Sequence, residues 1–216
     1  MDANLKNKIK LTVLLLVTAV PIIMATMSFQ TAIDSGAITA TANKGHLINP
    51  PADITALVMN DQNGEPVFKN FEEEIASLPA GQEYEIRPWL LLYVTANECE
   101  TSCKERIHYL QQLHIALGKN IQRVRRYYLH AGEQPIPTDI AEYFRAEFPS
   151  MGIAYSDAEA LEQNMQAAGV NLPLSSESYI VLVDPVGNVM MYYTDENTAE
   201  DIMIDLETLL KYSSLG

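Results

Sequence analysis

Apolar and polar positions alternate along this chain in patterns that predict both strands and helices. The near-continuous apolar run at 89–95 is typical of a strand buried on both faces of a sheet. Apolar residues then recur at helical spacing from Ile107 to Leu117, and 124–129 predicts a second strand. The later pattern predicts helices near 138–144 and 158–168, paired strands at 178–183 and 189–193, and a last helix over 198–212.

The chain before residue 89 gives weaker signals. Residues 54–59 predict a strand, and the sequence DQNG at 61–64 is a strong hairpin turn. Residues 30–53 are small and polar, end in Asn-Pro-Pro, and are interpreted as a linker. The acidic segment 71–86 predicts one short helix.

The order of these elements resembles the thioredoxin arrangement, in which a strand, a helix, a strand, helices, a hairpin and a helix follow one another. We therefore expect an α/β fold with a thioredoxin-like mixed sheet flanked by helices, extended by an N-terminal hairpin. This domain is assigned to residues 54–214. A hydrophobic content of 48% permits a packed core, and a net charge of −14 argues against nucleic-acid binding.

The N-terminal segment predicts a membrane anchor. Residues 11–29 carry no charge and approach the roughly 20 residues that cross a bilayer as a helix. Lysines precede this run within residues 6–10, and the next basic residue is Lys44, so residues 1–10 are expected in the cytoplasm. A cleaved signal peptide is the alternative, although its apolar core is usually about 7–15 residues. Both interpretations export the domain, and we expect a single-pass bacterial inner-membrane protein with a periplasmic domain.

The two cysteines of the chain, Cys99 and Cys103, lie between the apolar strand and the helix that follows it. They can form a local disulfide, exchange disulfides with a partner, or hold a soft ion such as Cu(I). One cysteine can precede the helix while the other lies in its first turn, or both can lie on adjacent turns. A static disulfide would close a very short loop and contribute little loop entropy.

The charges near the pair oppose one another. Helix N-terminal amides would lower the pKa of a thiol that points at them, and Lys104 and Arg106 would help. Glu98 and Glu100 would oppose this effect. Elsewhere, a cluster of three arginines at 123, 125 and 126 is interpreted as a solvated strand face, with a docking patch as the alternative.

The segment Tyr93–Cys103, with the form Tyr-x-Thr-x-x-x-Cys-x-x-x-Cys, resembles the Sco/SenC family. The resemblance extends to the Asp-Pro-x-Gly hairpin at 184–187 and the final helix, and it covers most of 48–212. The chain is also similar to a group of short membrane proteins associated with oxidase assembly. The resemblance implies a thioredoxin-fold assembly factor for cytochrome c oxidase that binds copper and reduces or metallates the copper site of subunit II.

The family's copper site adds a histidine nine residues before the hairpin proline, and this chain has Ser176 there. Substitute ligands are weakly supported. His108 is expected to be exposed, and His130 is expected to be solvated at a strand end. At least one of Met190 and Met191 is expected in the core, because consecutive strand residues face opposite ways.

These observations favour a protein that assists cytochrome c oxidase assembly by thiol-disulfide exchange. Cys99, expected to be the more exposed, would attack a partner disulfide, and Cys103 would resolve the mixed disulfide. The partner would be an oxidase subunit or another assembly factor. The alternatives are a Cu(I) carrier that uses both thiolates, and a non-catalytic scaffold with a structural disulfide.

Overall fold

The structure is a computed structural model and describes residues 3–34, 43–68, 71–79 and 87–213. Two compact units divide at Ala42. The first contains helix α1 (Ala3–Asp34), whose segment Lys8–Thr31 is long and apolar enough to cross a membrane. Residues 35–42 of the predicted linker and 80–86 of the acidic segment lie outside the described residues.

The second unit contains seven strands and five further α-helices within its described residues. The strands are β1 (His46–Asp53), β2 (Met59–Asp61), β3 (Trp89–Thr95), β4 (Val124–His130), β5 (Met151–Ser156), β6 (Tyr179–Val183) and β7 (Asn188–Tyr193). The helices are α2 (Phe71–Ala76), α3 (Thr101–Ala116), α4 (Thr138–Glu147), α5 (Ala158–Ala167) and α6 (Ala199–Tyr212).

All seven strands form one mixed sheet in the order β1-β7-β6-β3-β4-β5-β2. Strands β3, β4 and β5 are parallel, whereas β6, β7, β1 and β2 pair antiparallel with their neighbours. Because β3 has partners on both sides and helices cover both faces, all seven of its residues are buried. The predicted thioredoxin-like mixed sheet flanked by helices is confirmed.

Alternation along β3 divides the core into two clusters. Leu91 and Tyr93 belong to a cluster that also contains apolar residues of α3, α4 and α6. Leu92 and Val94 belong to the opposite cluster, which contains residues of α5. The cysteine pair belongs to the first cluster and is therefore on the face covered by three helices.

Two strands differ from the sequence-based expectation. The predicted linker over 30–53 is wrong at its end, because His46–Asp53 pairs with β7 as an edge strand. An edge strand tolerates the two prolines, and the pairing register shifts between Leu47 and Ala52, on either side of them. The strand predicted at 54–59 is wrong for residues 54–58, which form a turn, and β2 begins only at Met59. The DQNG turn at its end returns through the isolated bridge Asn60–Pro66.

Strand β5 has no counterpart in the sequence-based prediction. Its six residues alternate only weakly, and they include Gly152. A Cβ atom at this position would collide with the ring of Tyr127 on the neighbouring strand. The glycine that weakens the strand pattern is therefore required by the packing of the sheet.

Candidate redox site

The cysteine pair lies where the chain leaves the carboxyl end of β3 and enters α3. Cys99 precedes the helix, and Cys103 is the third residue of its first turn. Their Cα atoms are 5.2 Å apart, and a disulfide joins the two sulfur atoms. Of the two arrangements that the spacing permits, the fold adopts the one with one cysteine before the helix.

Both cysteines are buried, with 5% of each residue exposed. The expectation that Cys99 is the more exposed is therefore wrong. Cys103 continues the inward face of α3 that Ile107 and Leu110 form, and this face packs into the core. Cys99 is buried although both of its neighbours, Glu98 and Glu100, are exposed. The loop that carries Cys99 reaches the surface at its neighbours, and the first turn of α3 does so at Thr101 and Ser102, while Cys103 faces the core.

The N-terminus of α3 favours a thiolate at the pair more than the charged side chains near the pair do. Glu100 occupies the N-cap position, and its side chain makes no capping hydrogen bond. The first amides of the helix therefore lack a side-chain acceptor, and the helix dipole places partial positive charge beside the pair. A thiolate at Cys99 is the anion that this position would stabilise.

The two basic side chains expected to help the pair are directed elsewhere. The Lys104 ammonium lies 5.1 Å from the ring centroid of Tyr143. The Arg106 guanidinium donates hydrogen bonds of 2.8 and 2.9 Å to the carbonyl oxygens of Thr194 and Asn197. The observed contacts of both groups are therefore with other partners and not with the cysteine pair.

Tyrosine side chains form part of the core cluster around the pair. The rings of Tyr93 and Tyr128 stack with centroids 6.0 Å apart, and the Tyr93 hydroxyl donates to Ser178 Oγ at 2.9 Å. Burial raises the pKa of both phenols, so they stay neutral at physiological pH. These two aromatic side chains therefore contribute no charge to the cluster that contains the pair.

His130 is buried, with 6% of the residue exposed, so the expectation of a solvated strand-end histidine is wrong. Its ring stacks on Tyr128 and meets the edge of Tyr155. Nε2 lies 2.8 Å from the carbonyl oxygen of Gln134, and a carbonyl only accepts, so Nε2 carries the hydrogen. Nδ1 is buried and has no hydrogen-bond partner.

Gly132 lets the end of β4 approach the loop that carries Cys99. A Cβ atom there would lie 2.8 Å from the carbonyl oxygen of Ala96 and 2.7 Å from Nε2 of His130. The amide of Ala131 also donates to the carbonyl oxygen of Thr95 at 2.8 Å, which extends the pairing of β3 with β4. These contacts place His130 at the base of the Cys99 loop, where sequence reasoning assigned it no structural role.

The other sequence candidates do not complete a metal centre. Ser176 is exposed in a turn, and its hydroxyl donates to the carbonyl oxygen of Pro173. His108 is exposed and Met191 is buried, as expected. In the described part of the chain, no three His, Cys, Asp or Glu side chains are grouped so that they could hold a metal ion. The residues present do not fit the Cys2His copper site that the Sco resemblance implies.

The arginine cluster is not a uniformly solvated strand face. Arg125 is exposed, but Arg126 is buried, with 2% of the residue exposed. Arg123 lies in a 3-10 turn before β4 and donates to the carbonyl oxygens of Leu210 and Ser213. The predicted solvated face is therefore wrong for Arg126, which carries its charge into the interior.

The fold and the cysteine pair define a thioredoxin-like domain with a disulfide at the start of its first core helix. The model of the transmembrane-like, thioredoxin-like C-terminal domain family matches residues 89–213. This match spans more than half of the chain, and the protein therefore belongs to that family.

Solved structures of Sco proteins share the fold. Yeast Sco1 aligns with a TM-score of 0.54 at 13% identity, over 77% of this chain and 99% of that one. BsSco, described as a cytochrome c oxidase assembly protein with a disulfide switch, aligns at 0.50 and 16% identity, over 76% and 96% of the two chains. Copper-bound yeast Sco1 aligns at 0.51 and 12% identity, over 73% and 91%. These identities establish a common fold alone, and a search of curated protein sequences found no match.

Proposed function

We propose that the protein is a membrane-anchored thiol-disulfide exchange factor that assists cytochrome c oxidase assembly. The disulfide between Cys99 and Cys103, at an uncapped helix start beyond the central strand, carries this proposal. The resemblance of the cysteine motif to Sco proteins, and the shared fold, support the oxidase as the destination. The apolar segment Lys8–Thr31 supports anchoring, and a disulfide is compatible with the periplasm.

The reaction proceeds from the reduced pair in two balanced steps. The Cys99 thiolate attacks one sulfur of a partner disulfide, which forms a mixed disulfide and releases the other partner sulfur as a thiolate. Cys103 then loses its proton and attacks Cys99 Sγ, so that the second partner sulfur leaves. Two electrons pass to the partner, and the chain ends with the Cys99–Cys103 disulfide. The return to the dithiol requires a second, reducing thiol protein.

Burial of both cysteines adds a requirement to this scheme. A partner sulfur cannot reach either sulfur atom while both residues are 5% exposed, so the Cys99 loop must open locally. The loop is the part that can move, because Cys103 is fixed in the packed turn of α3. Attack by Cys99 therefore remains the expected first step, because its loop can move and not because the residue is exposed.

Copper carriage is the alternative that the Sco resemblance implies. Two thiolates of a reduced pair suit Cu(I), but the third ligand of the family is replaced by Ser176. Titration of the reduced full chain with Cu(I) in competition with a chelator tests this alternative. Stoichiometric binding that Cys99→Ser abolishes would favour the carrier.

The exchange function is tested by trapping the partner in cells. The full-length Cys103→Ser variant keeps the attacking thiol but cannot resolve the mixed disulfide, so it should accumulate a covalent complex with an oxidase subunit or assembly factor. Cys99→Ser is the matched control and should trap nothing. Absence of any covalent complex together with normal oxidase levels would refute the proposal. Full oxidase assembly with both cysteines replaced by serine would leave only the scaffold alternative.

The reduction potential of the pair separates a redox role from a structural one. Equilibration of the full chain with glutathione buffers should give a potential near that of the compartment. A value below about −300 mV would indicate a structural disulfide.

A further inference from the structure

A second site lies at the opposite end of the parallel strands. An open cavity of about 790 Å³ borders the amino-terminal ends of β4 and β5 and the segment that leads into β3. We call it the basic cavity, because its lining includes Arg87, Arg125, Arg126 and His114 and, among the residues that the structure describes, no aspartate or glutamate. This concentration of basic groups occurs in a chain with a net charge of −14.

Arg126 is the unusual member of this lining. Its Nη2 donates to Ser150 Oγ at 2.7 Å, while Nε and Nη1 are buried and have no hydrogen-bond partner. The ion pairs found among the described residues are Arg87–Glu74 and Arg106–Asp195, so no carboxylate there neutralises Arg126. Burial lowers the pKa of this guanidinium, which still stays charged at any physiological pH.

An unpaired buried cation is costly, and an apolar side chain of similar volume would fill the same space at lower cost. Arg126 is also part of the wall of the basic cavity, although only 2% of the residue is exposed. A charge that lacks an internal partner and borders a cavity is the arrangement expected when the partner is a ligand.

His114 adds a second, independent feature. Its Nε2 lies 3.0 Å from the carbonyl oxygen of Ile121 and 2.7 Å from that of Val124, which fixes the ring and places the hydrogen on Nε2. Burial lowers the pKa of His114, and the charge of Arg126 lowers it further. The ring is thus held beside the guanidinium, and the His114 pKa depends on the charge in the cavity.

We propose that the basic cavity binds a small-molecule oxyanion, a carboxylate or a phosphate group, with Arg126 and Arg125 as the cationic ligands. Guanidinium groups bind both kinds of oxyanion through paired N–H donors. The cavity volume is within the range of small-molecule sites, so it accommodates a ligand larger than the oxyanion itself. This site is separate from the cysteine pair and does not depend on the exchange function.

Calorimetric titration of the full chain in a phosphate-free detergent tests the proposal. Inorganic phosphate and succinate are the two probes, and chloride at equal ionic strength is the reference. We expect at least one probe to bind, and Arg126→Met to weaken it by at least about tenfold, since a charge-assisted hydrogen bond is lost. Arg145→Met removes the same charge from an exposed site outside the lining and should leave binding unchanged.

His114 provides a readout that depends on the position of the ligand. Arg87, Arg125 and Arg126 are the charged groups that share the cavity lining with His114. A bound oxyanion would offset their field, so the His114 pKa measured by NMR should rise when the probe is added. His108, which is exposed on the same helix, should show no matching change.

Three results would overturn the proposal. The first is that neither probe binds. The second is that Arg126→Met and Arg145→Met weaken binding equally, which would indicate non-specific attraction. The third is a His114 pKa that stays unchanged while a probe binds, which would place the bound oxyanion outside the basic cavity. The relative affinity of phosphate and succinate identifies the class of ligand in the case where binding is found.

Discussion

At the carboxyl ends of β3 and β4 the chain buries a disulfide among apolar and aromatic side chains. Near their amino ends it buries a guanidinium that has no acidic partner among the described residues. The first region is closed and must open before chemistry occurs at Cys99. The second region borders an open cavity, where we propose that an oxyanion binds.

The comparison shows that topology and charge define sites in different ways. The carboxyl ends of parallel strands are the usual position for function in open α/β sheets, and the cysteine pair follows that rule. The basic cavity lies at the other end, where no topological rule predicts a site. It is recognised because Arg126 departs from the rule that buried charges are paired.

Removal of both cysteines should produce the largest effect. Cys99→Ser combined with Cys103→Ser abolishes exchange with oxidised glutathione completely, because no thiol remains in the chain. The free energy of unfolding in urea should fall by only roughly 2 kcal/mol, since the disulfide closes a loop of a few residues. Ser102→Ala, an exposed position between the two cysteines, should alter neither quantity. A stability loss near 5 kcal/mol would instead favour the structural role.

Two glycine substitutions distinguish the ends of the sheet. Gly132→Ala and Gly152→Ala each introduce a Cβ into occupied space and should each cost about 1–3 kcal/mol in urea unfolding. Only Gly132→Ala should shift the reduction potential of the pair, because it displaces the loop that carries Cys99. Equal shifts in both variants would mean that the potential follows overall stability and not the local geometry.

Arg126→Met tests whether the buried charge is structural. The variant loses the bond to Ser150 but relieves the burial of an unpaired cation, so we expect the free energy of unfolding to stay constant or rise by about 1 kcal/mol. Thermal unfolding at low phosphate measures this. A loss of several kcal/mol would show that Arg126 supports the fold, which would remove the main reason to assign it a ligand.

The smallest expected effect is the contribution of His114 to the pH dependence of stability. Burial holds the His114 pKa below its usual value of 6.5, so the unfolded chain binds more protons than the folded chain. Stability contributed by neutral His114 is therefore present above about pH 6.5 and is lost as the pH falls through the folded pKa. Melting temperatures between pH 7 and 5 should decline less steeply in His114→Gln than in the parent, and His108→Gln should match the parent.

Each strand or helix could be predicted from the sequence only when its local pattern was strong. The buried strand β3, the helix after the cysteines and the final hairpin and helix were predicted because their apolar periodicity is long or their turns are specific. Strand β5 was missed because Gly152, which sheet packing requires, weakens its pattern. Strand β1 was missed because two prolines favour a linker, and only pairing with β7 makes them compatible with an edge strand.

The features of the candidate site were also predictable only where they depended on a local pattern. The spacing and position of Cys99 and Cys103 indicated a pair at a helix start, and the contacts of β3 and α3 place them there. Equal burial of the two cysteines was not predictable, because it depends on packing among distant segments. The burial of His130 depends on Gln134, Tyr155 and the return of β4 beside the loop that precedes the cysteines.

The sequence by itself determined the apolar N-terminal segment, the thioredoxin-like order of elements and the adjacency of the two thiols, because each depends on residues close together in the chain. Only the tertiary structure decided that the pair is enclosed and that Arg126 is buried with no carboxylate partner in the described part of the chain. These properties depend on which side chains meet across the sheet, and local pattern does not encode those distances.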